Sequence, residues 1–180
     1  MKKNVIIFGL ISGAWIATMG VYTAAACYNN PEFKGNDFLG YTSMIVAFSF
    51  IFIGIRNYRN KFNNGVITFG QAFKTGLYIS LIASTLYVVV WLVDYYLFIP
   101  GFLDQYINHV LYQARIDGAG RPELEEKASQ MADFKELYRN PLFVVLITYS
   151  EVLPIGLIIT IISALILKRK SKDQNIVVPD

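Results

Sequence analysis

The sequence predicts an all-α protein: a four-helix transmembrane bundle with an extracytoplasmic amphipathic helical hairpin between the third and fourth helices. Four apolar stretches support this prediction, because a helix needs roughly 20 residues to cross a bilayer. They lie at about 4–28, 38–55, 69–99 and 141–167. Their apolar residues are continuous rather than alternating, which favours helices. In addition, Lys and Arg lie mostly on one side of these stretches.

The composition argues against a soluble domain. Hydrophobic residues make up 54% of the 180 residues and charged residues only 16%, which is unlike an ordinary globular domain. No basic stripe with interleaved aromatic residues lies outside the apolar stretches, so we expect no nucleic-acid partner. Cys27 and His109 are the only residues of their types. We therefore expect no internal disulfide, no metal site and no cofactor.

The charges predict the orientation. Ten of the 16 Lys and Arg residues lie in the amino terminus, around the linker between the second and third helices, and in the tail, together with two acids. The other two linkers contain six basic and nine acidic residues. Because Lys and Arg are enriched in cytoplasmic loops, we place both termini in the cytoplasm. The predicted location is the inner cell membrane, with a single membrane domain at 1–170 and a short cytoplasmic tail at 171–180.

The first stretch also has features of a cleaved signal peptide, since its start is basic and three alanines precede Cys27. Its apolar run of ~23 residues, however, exceeds the 7–15 residues of a signal peptide. We therefore predict an uncleaved helix.

Small residues recur at helical spacing in three of the predicted helices. Such residues let a neighbouring helix approach closely, and we assign them to helix packing. They are Gly9 and Gly13 in the first helix, Gly76, Ser80 and Ser84 in the third, and Gly156 in the fourth.

Basic residues at the cytoplasmic helix ends are predicted to anchor the chain at anionic lipid headgroups, at about 1 kcal/mol each. They are Arg56, Arg59 and Lys61 after the second helix, and Lys168, Arg169 and Lys170 after the fourth. Thr68 and Gln71 have the spacing of a capping box at the start of the third helix.

Residues 101–139 are predicted to form the hairpin. Apolar residues recur at helical spacing on both sides of the turn at Gly118, and acids stand at the start of the second helix. We expect the apolar set to be buried and Glu123, Glu125 and Glu126 to face water. The apolar set is Leu103, Ile107, Val110, Leu124, Met131 and Phe134. The alternative is that both helices lie flat in the headgroups.

Two acids fall inside the predicted helices. Glu151 lies ~15 Å along the fourth helix, near the middle of the bilayer, where a carboxylate costs about 2.5–3.5 kcal/mol. We expect it to face the bundle interior. Thr148, Ser150 and Pro154 complete a candidate polar site, since Pro154 removes a backbone hydrogen bond and should kink the helix. Asp94 lies near the outer end of the third helix, where we expect it to form hydrogen bonds within reach of water.

Glu151 has three interpretations. It packs the bundle through hydrogen bonds, it handles a proton or cation, or it takes part in catalysis. Its candidate packing partners are Ser84, Thr85, Tyr87, Thr18 and Trp15. Asp94 and Glu151 differ in depth by ~7 Å, which does not fit a catalytic dyad, and no phosphate loop or nucleophile elbow occurs. We therefore expect no enzyme activity.

Several segments together resemble a known family. They are GIRNYRNK at 54–61, FGQAFKTG at 69–76, EVLPIGL at 151–157 and SALILKRK at 163–170. In this combination the chain resembles a family of small four-span bacterial membrane proteins, catalogued only as a domain of unknown function. The resemblance extends over 1–170. It implies the four-span architecture and no assigned chemistry.

Two functions follow as expectations. The first is a non-enzymatic membrane protein that acts by association, with the lipid bilayer and either a homo-oligomer or another membrane protein as partners. The alternative is a small proton- or cation-coupled carrier subunit that uses Glu151.

Overall fold

The computed structural model describes residues 2–30 and 37–169. The helices are α1 (Lys2–Asn29), α2 (Asp37–Phe62), α3 (Phe69–Val93), α4 (Phe102–Ile116), α5 (Arg121–Tyr138) and α6 (Pro141–Leu167), and a π-helical turn (Asp94–Phe98) follows α3. The predicted helical bundle is confirmed. Four segments are long and apolar enough to cross a membrane: Lys2–Asn29, Gly40–Phe62, Phe69–Phe98 and Pro141–Leu167. The predicted anchor Lys170 and the tail at 171–180 lie outside the described residues.

The second helix is longer than the sequence indicated. We expected it to end near residue 55, but α2 continues to Phe62. Its last two turns therefore carry the basic segment with Arg59. Hydropathy marks where the apolar core ends, whereas a helix can continue beyond it because water satisfies its polar side chains.

The four long helices pack around one core. α3 lies against α1 and α6, and α2 lies against the same two helices. The core contains fully buried side chains from α2, α3 and α6, including Phe48, Ile79 and Val152. Ser12 on α1 donates a hydrogen bond of 2.7 Å to the carbonyl oxygen of Ala47 on α2. Apolar packing and single polar contacts thus hold neighbouring helices together.

Small residues lie where the helices approach most closely. A Cβ placed on Gly9 would lie 2.7 Å from Ile82 on α3. A Cβ placed on Gly76 would lie 2.7 Å from Thr160 on α6. Larger side chains at these positions would separate the helices, because the facing atoms already fill the space.

The ends of α2 and α6 meet the linker before α3. The backbones of Ile67 and Arg169 exchange two hydrogen bonds of 3.0 and 2.8 Å. Thr68 and Gln71 form the predicted capping box at the start of α3. This connection fixes the carboxyl end of α6 beside the amino end of α3.

The helices α4 and α5 form a hairpin that packs on the bundle through aromatic residues. Tyr138 lies 5.4 Å from Tyr95 and 5.0 Å from Phe134, measured between ring centroids. Leu103 is buried in the same cluster. Tyr95, in the π-helical turn after α3, is therefore part of the contact surface for the hairpin. An ion pair between Lys135 and Asp104 also joins α4 to α5.

The apolar and acidic faces of the hairpin separate as the sequence indicated. Leu103 is buried and the other five residues of the predicted apolar set are half-buried. Glu123, Glu125 and Glu126 are exposed. Glu125 pairs with Arg121 at 3.0 Å and Glu123 with Lys127 at 3.8 Å, while Glu126 accepts a hydrogen bond from the side-chain amide of Gln130.

Candidate intramembrane site

Glu151 lies on α6, ten residues after its first residue, Pro141. We expected the side chain to face the bundle interior, but the structure places it on the exposed surface. The next residue, Val152, is fully buried. The reason is geometric: consecutive residues on a helix point about 100° apart, and Val152 rather than Glu151 meets the core.

The residues around Glu151 do not converge on one point. Ser150 and Pro154 are exposed, whereas Thr148 is buried. Ser150 Oγ donates to the carbonyl oxygen of Ile147 at 2.7 Å. Thr148 Oγ1 donates to a backbone oxygen in its own helix at 2.7 Å. Both hydroxyls therefore have their protons engaged, but their oxygen lone pairs remain available as acceptors.

The helix α6 continues through Pro154 without interruption. Pro154 has no backbone N–H, so the carbonyl oxygen of Ser150 loses its usual helical donor. This carbonyl lies on the same exposed stretch of α6 as Glu151. The face therefore offers several acceptors close to one carboxyl group.

Three of the five packing partners that we considered for Glu151 form hydrogen bonds with other groups. Trp15 donates to Ser43 Oγ at 3.1 Å, and Thr18 donates to the carbonyl oxygen of Ala14. Thr85 is hydrogen-bonded at 2.8 Å to Tyr149, the residue two positions before Glu151. Within the described residues, the carboxyl group of Glu151 has no hydrogen-bond partner.

Glu151 nevertheless lies near two tyrosines. It is close enough to interact electrostatically with Tyr87 on α3 and Tyr138 on α5. Burial above all, together with the nearby Glu151, raises the pKa of the Tyr138 hydroxyl to about 12, and the side chain of Trp91 opposes this rise.

Asp94 forms a separate feature. We expected it within reach of water, but the side chain is only 7% exposed. Its Oδ2 atom has no hydrogen-bond partner in the described part of the chain. Asp94 begins the π-helical turn, and it lines a cleft of about 470 Å³ between α1 and the end of α3. The structure thus separates the two acids into different environments, without a metal-binding group of three ligands among the described residues.

The predicted lipid anchors also differ from one another. Arg56, Lys61, Lys168 and Arg169 are exposed, as an anchor requires. Arg59 is half-buried, and its Nη1 donates to the carbonyl oxygen of Leu167 at 3.2 Å. The guanidinium therefore caps the carboxyl end of α6, where a positive charge is favourable.

The sequence did not indicate the polar contact between α1 and α2. Asn4 is buried and donates to the carbonyl oxygen of Gly54 at 2.8 Å. Asn57 donates to Asn4 Oδ1 at 2.7 Å. The available signal was Asn4 itself, a polar residue inside the first apolar stretch. Its partners are 50 and 53 residues away, and the contact follows only from the packing of the helices.

The fold and the placement of its polar groups define a small multi-pass helical membrane protein. The chain belongs to the family described as Protein of unknown function (DUF4199), which matches residues 4–169. This match confirms the resemblance found in the sequence. Neither a curated protein nor a solved structure shows significant similarity to the chain.

Proposed function

We propose that the protein is a non-enzymatic membrane protein of the inner cell membrane, with both termini in the cytoplasm, and that it acts by associating with a second copy of itself through the outer face of α6. The observation that supports this most strongly is the carboxyl group of Glu151. It is exposed near the middle of a membrane-length helix, without a hydrogen-bond partner among the described residues. A polar group facing lipid is costly unless a partner covers it.

A second copy supplies the groups that this face needs. A neutral carboxylic acid is both a donor and an acceptor. Ser150 already uses its proton within the helix, so it offers only an acceptor. In a two-fold arrangement the same patch meets itself, and the acid of each copy donates to a hydroxyl or carboxyl oxygen of the other. Ile158 and Ile162 on the exposed side of α6 provide apolar contact next to this pair.

The experiment measures association of donor- and acceptor-labelled protein by energy transfer in liposomes, as the lipid-to-protein ratio is raised. We expect Glu151→Leu to weaken association by about 1–2 kcal/mol, roughly 5- to 30-fold, which is typical of intramembrane hydrogen bonds. Glu151→Gln retains a donor and an acceptor and should associate nearly as the wild type does.

Asp94→Asn is the matched control, because it changes the other intramembrane acid, which is buried away from this face. It should not change association. Equal association of the wild type and Glu151→Leu would contradict the proposal, and so would a wild type that stays monomeric. In the latter case the partner of the α6 face would be a different membrane protein.

A carrier is the second candidate, favoured by one observation. The hydroxyl groups of Ser80, Ser84 and Thr160 are buried on α3 and α6 and have no hydrogen-bond partner within the described residues. Such hydroxyls can pass a proton or solvate a cation. In proteoliposomes with a pH-sensitive dye, a carrier would show proton flux that Glu151→Gln abolishes. Self-association without such flux favours the first candidate.

A further inference from the structure

The cleft between α1 and the end of α3 is a candidate ligand-binding site, and the evidence for it is independent of the association proposal. Its volume is about 470 Å³, within the range of small-molecule sites. Val21 and Ala25 on α1 and Val90 and Phe98 at the end of α3 form most of its wall. Phe98 is 70% exposed, so the cleft opens to the surface of the bundle. A long apolar group fits this wall.

Tyr28 and Asn29 use donors within the chain and retain oxygen atoms that can accept from a ligand. Tyr28 donates its hydroxyl proton to the carbonyl oxygen of Pro100 at 3.0 Å. Asn29 donates from its amide to the carbonyl oxygen of Ala25 at 2.8 Å. Asp94 is more than nine-tenths buried, and its Oδ2 has no partner among the described residues. The oxygen atoms that remain available thus present acceptors, and with Asp94 a negative charge, to a ligand in the cleft.

No positive charge of the described chain balances Asp94. The salt bridges between described residues lie on the hairpin and at its junction with α6, as in the pair of Arg139 and Glu136. The residues that line the cleft include neither Lys nor Arg. Asp94 also begins the π-helical turn, a distortion that often accompanies functional sites.

We propose that this cleft binds a lipophilic amine, a molecule with an ammonium head and a single apolar chain. The ammonium group donates to Asp94 Oδ2, which has no partner among the described residues, and to the side-chain oxygens of Asn29 and Tyr28, and its positive charge balances the carboxylate. The chain lies along the apolar wall formed by α1 and α3. The carboxylate excludes anionic amphiphiles by repulsion, so headgroup charge rather than chain length sets the specificity.

The test is calorimetric titration of the purified full-length protein in dodecyl maltoside with three probes of equal chain length: decylamine, decanol and decanoate. We expect saturable binding of decylamine, binding of decanol that is roughly tenfold or more weaker because a charge-assisted hydrogen bond is lost, and no binding of decanoate. Equal binding of decylamine and decanol would overturn the proposal, as would the absence of saturable decylamine binding.

Two variants locate the site. Asp94→Asn keeps the shape of the side chain and should weaken decylamine binding roughly tenfold or more, whereas Glu151→Gln, the control at the other acid, should leave it unchanged. If Asp94→Asn does not yield folded protein, Ala25→Phe tests the location of the site, because the larger side chain fills the cleft without altering the carboxyl group. Loss of decylamine binding in Ala25→Phe supports the proposal, and unchanged binding in the folded variant overturns it.

Discussion

Gly13 of α1 packs directly on the backbone of Ala83 in α3. A Cβ placed on Gly13 would lie 2.9 Å from the carbonyl oxygen of Ala83 and 3.0 Å from its Cα. Backbone atoms within a helix cannot rotate aside as a flexible side chain can. This contact therefore determines how closely the first and third helices approach.

We expect Gly13→Ala to destabilise the bundle. The added methyl group must push α1 away from α3, and overpacking of this kind costs about 1–3 kcal/mol. The measurement is thermal unfolding in detergent, where the midpoint should fall. Gly40→Ala is the control, since a Cβ at this helical position in α2 meets nothing within 4 Å. A Gly13→Ala midpoint equal to that of Gly40→Ala would contradict the predicted close contact.

Arg59→Ala should destabilise the protein even when no anionic lipid is present. The reason is the hydrogen bond from Arg59 to the carbonyl oxygen of Leu167, and a charge at a helix end contributes about 0.3–1 kcal/mol. Unfolding in a neutral detergent measures this contribution. Arg56→Ala is the control, because Arg56 is exposed on the same helix. If both variants behave alike, Arg59 acts as a headgroup anchor rather than as a cap.

Ionisation of the Tyr138 hydroxyl should lower the stability of the folded protein at high pH. The pKa of its hydroxyl is raised by burial from 10.0 to about 12. The unfolded chain therefore loses this proton at a lower pH than the folded protein does. The stabilising contribution is fully present below pH 10 and is lost as the pH rises towards 12, by on the order of 2 kcal/mol.

The measurement compares unfolding of the wild type and Tyr138→Phe between pH 9 and pH 12. The difference in unfolding free energy between the two proteins gives the contribution of Tyr138 separately from that of the other tyrosines. We expect the variant to lose less stability over this range. Parallel curves for the two proteins would show that Tyr138 does not contribute to the dependence.

The proposed orientation is testable with reporter fusions. Fusions at Asn63 and Asp180 should report the cytoplasm, because their flanking segments are rich in Lys and Arg. A fusion at Gly118, in the turn between α4 and α5, should report the opposite side. A cytoplasmic signal from Gly118 would show that the charge distribution does not govern the orientation of this protein.

The parts of the fold that depend on neighbours along the chain could be predicted from the sequence. The four apolar segments, the capping box at Thr68 and the two helices of the hairpin are all local, since hydropathy, spacing and turn residues are read within a few turns of helix. The acids at Glu123, Glu125 and Glu126 were also expected on the exposed side, because the hairpin helices have one apolar and one polar face.

The direction in which the intramembrane groups face depends on how the helices pack against one another. α6 is apolar on all sides, with Val152 buried and Ile158 exposed, so its sequence contains no periodic signal for the position of Glu151. Asp94 shares a cleft with α1, and the role of Arg59 depends on the end of α6, which is 108 residues away. These properties come from contacts between distant segments. Hydropathy along a single helix cannot encode them, because it measures how apolar a helix is and not which neighbour each side meets.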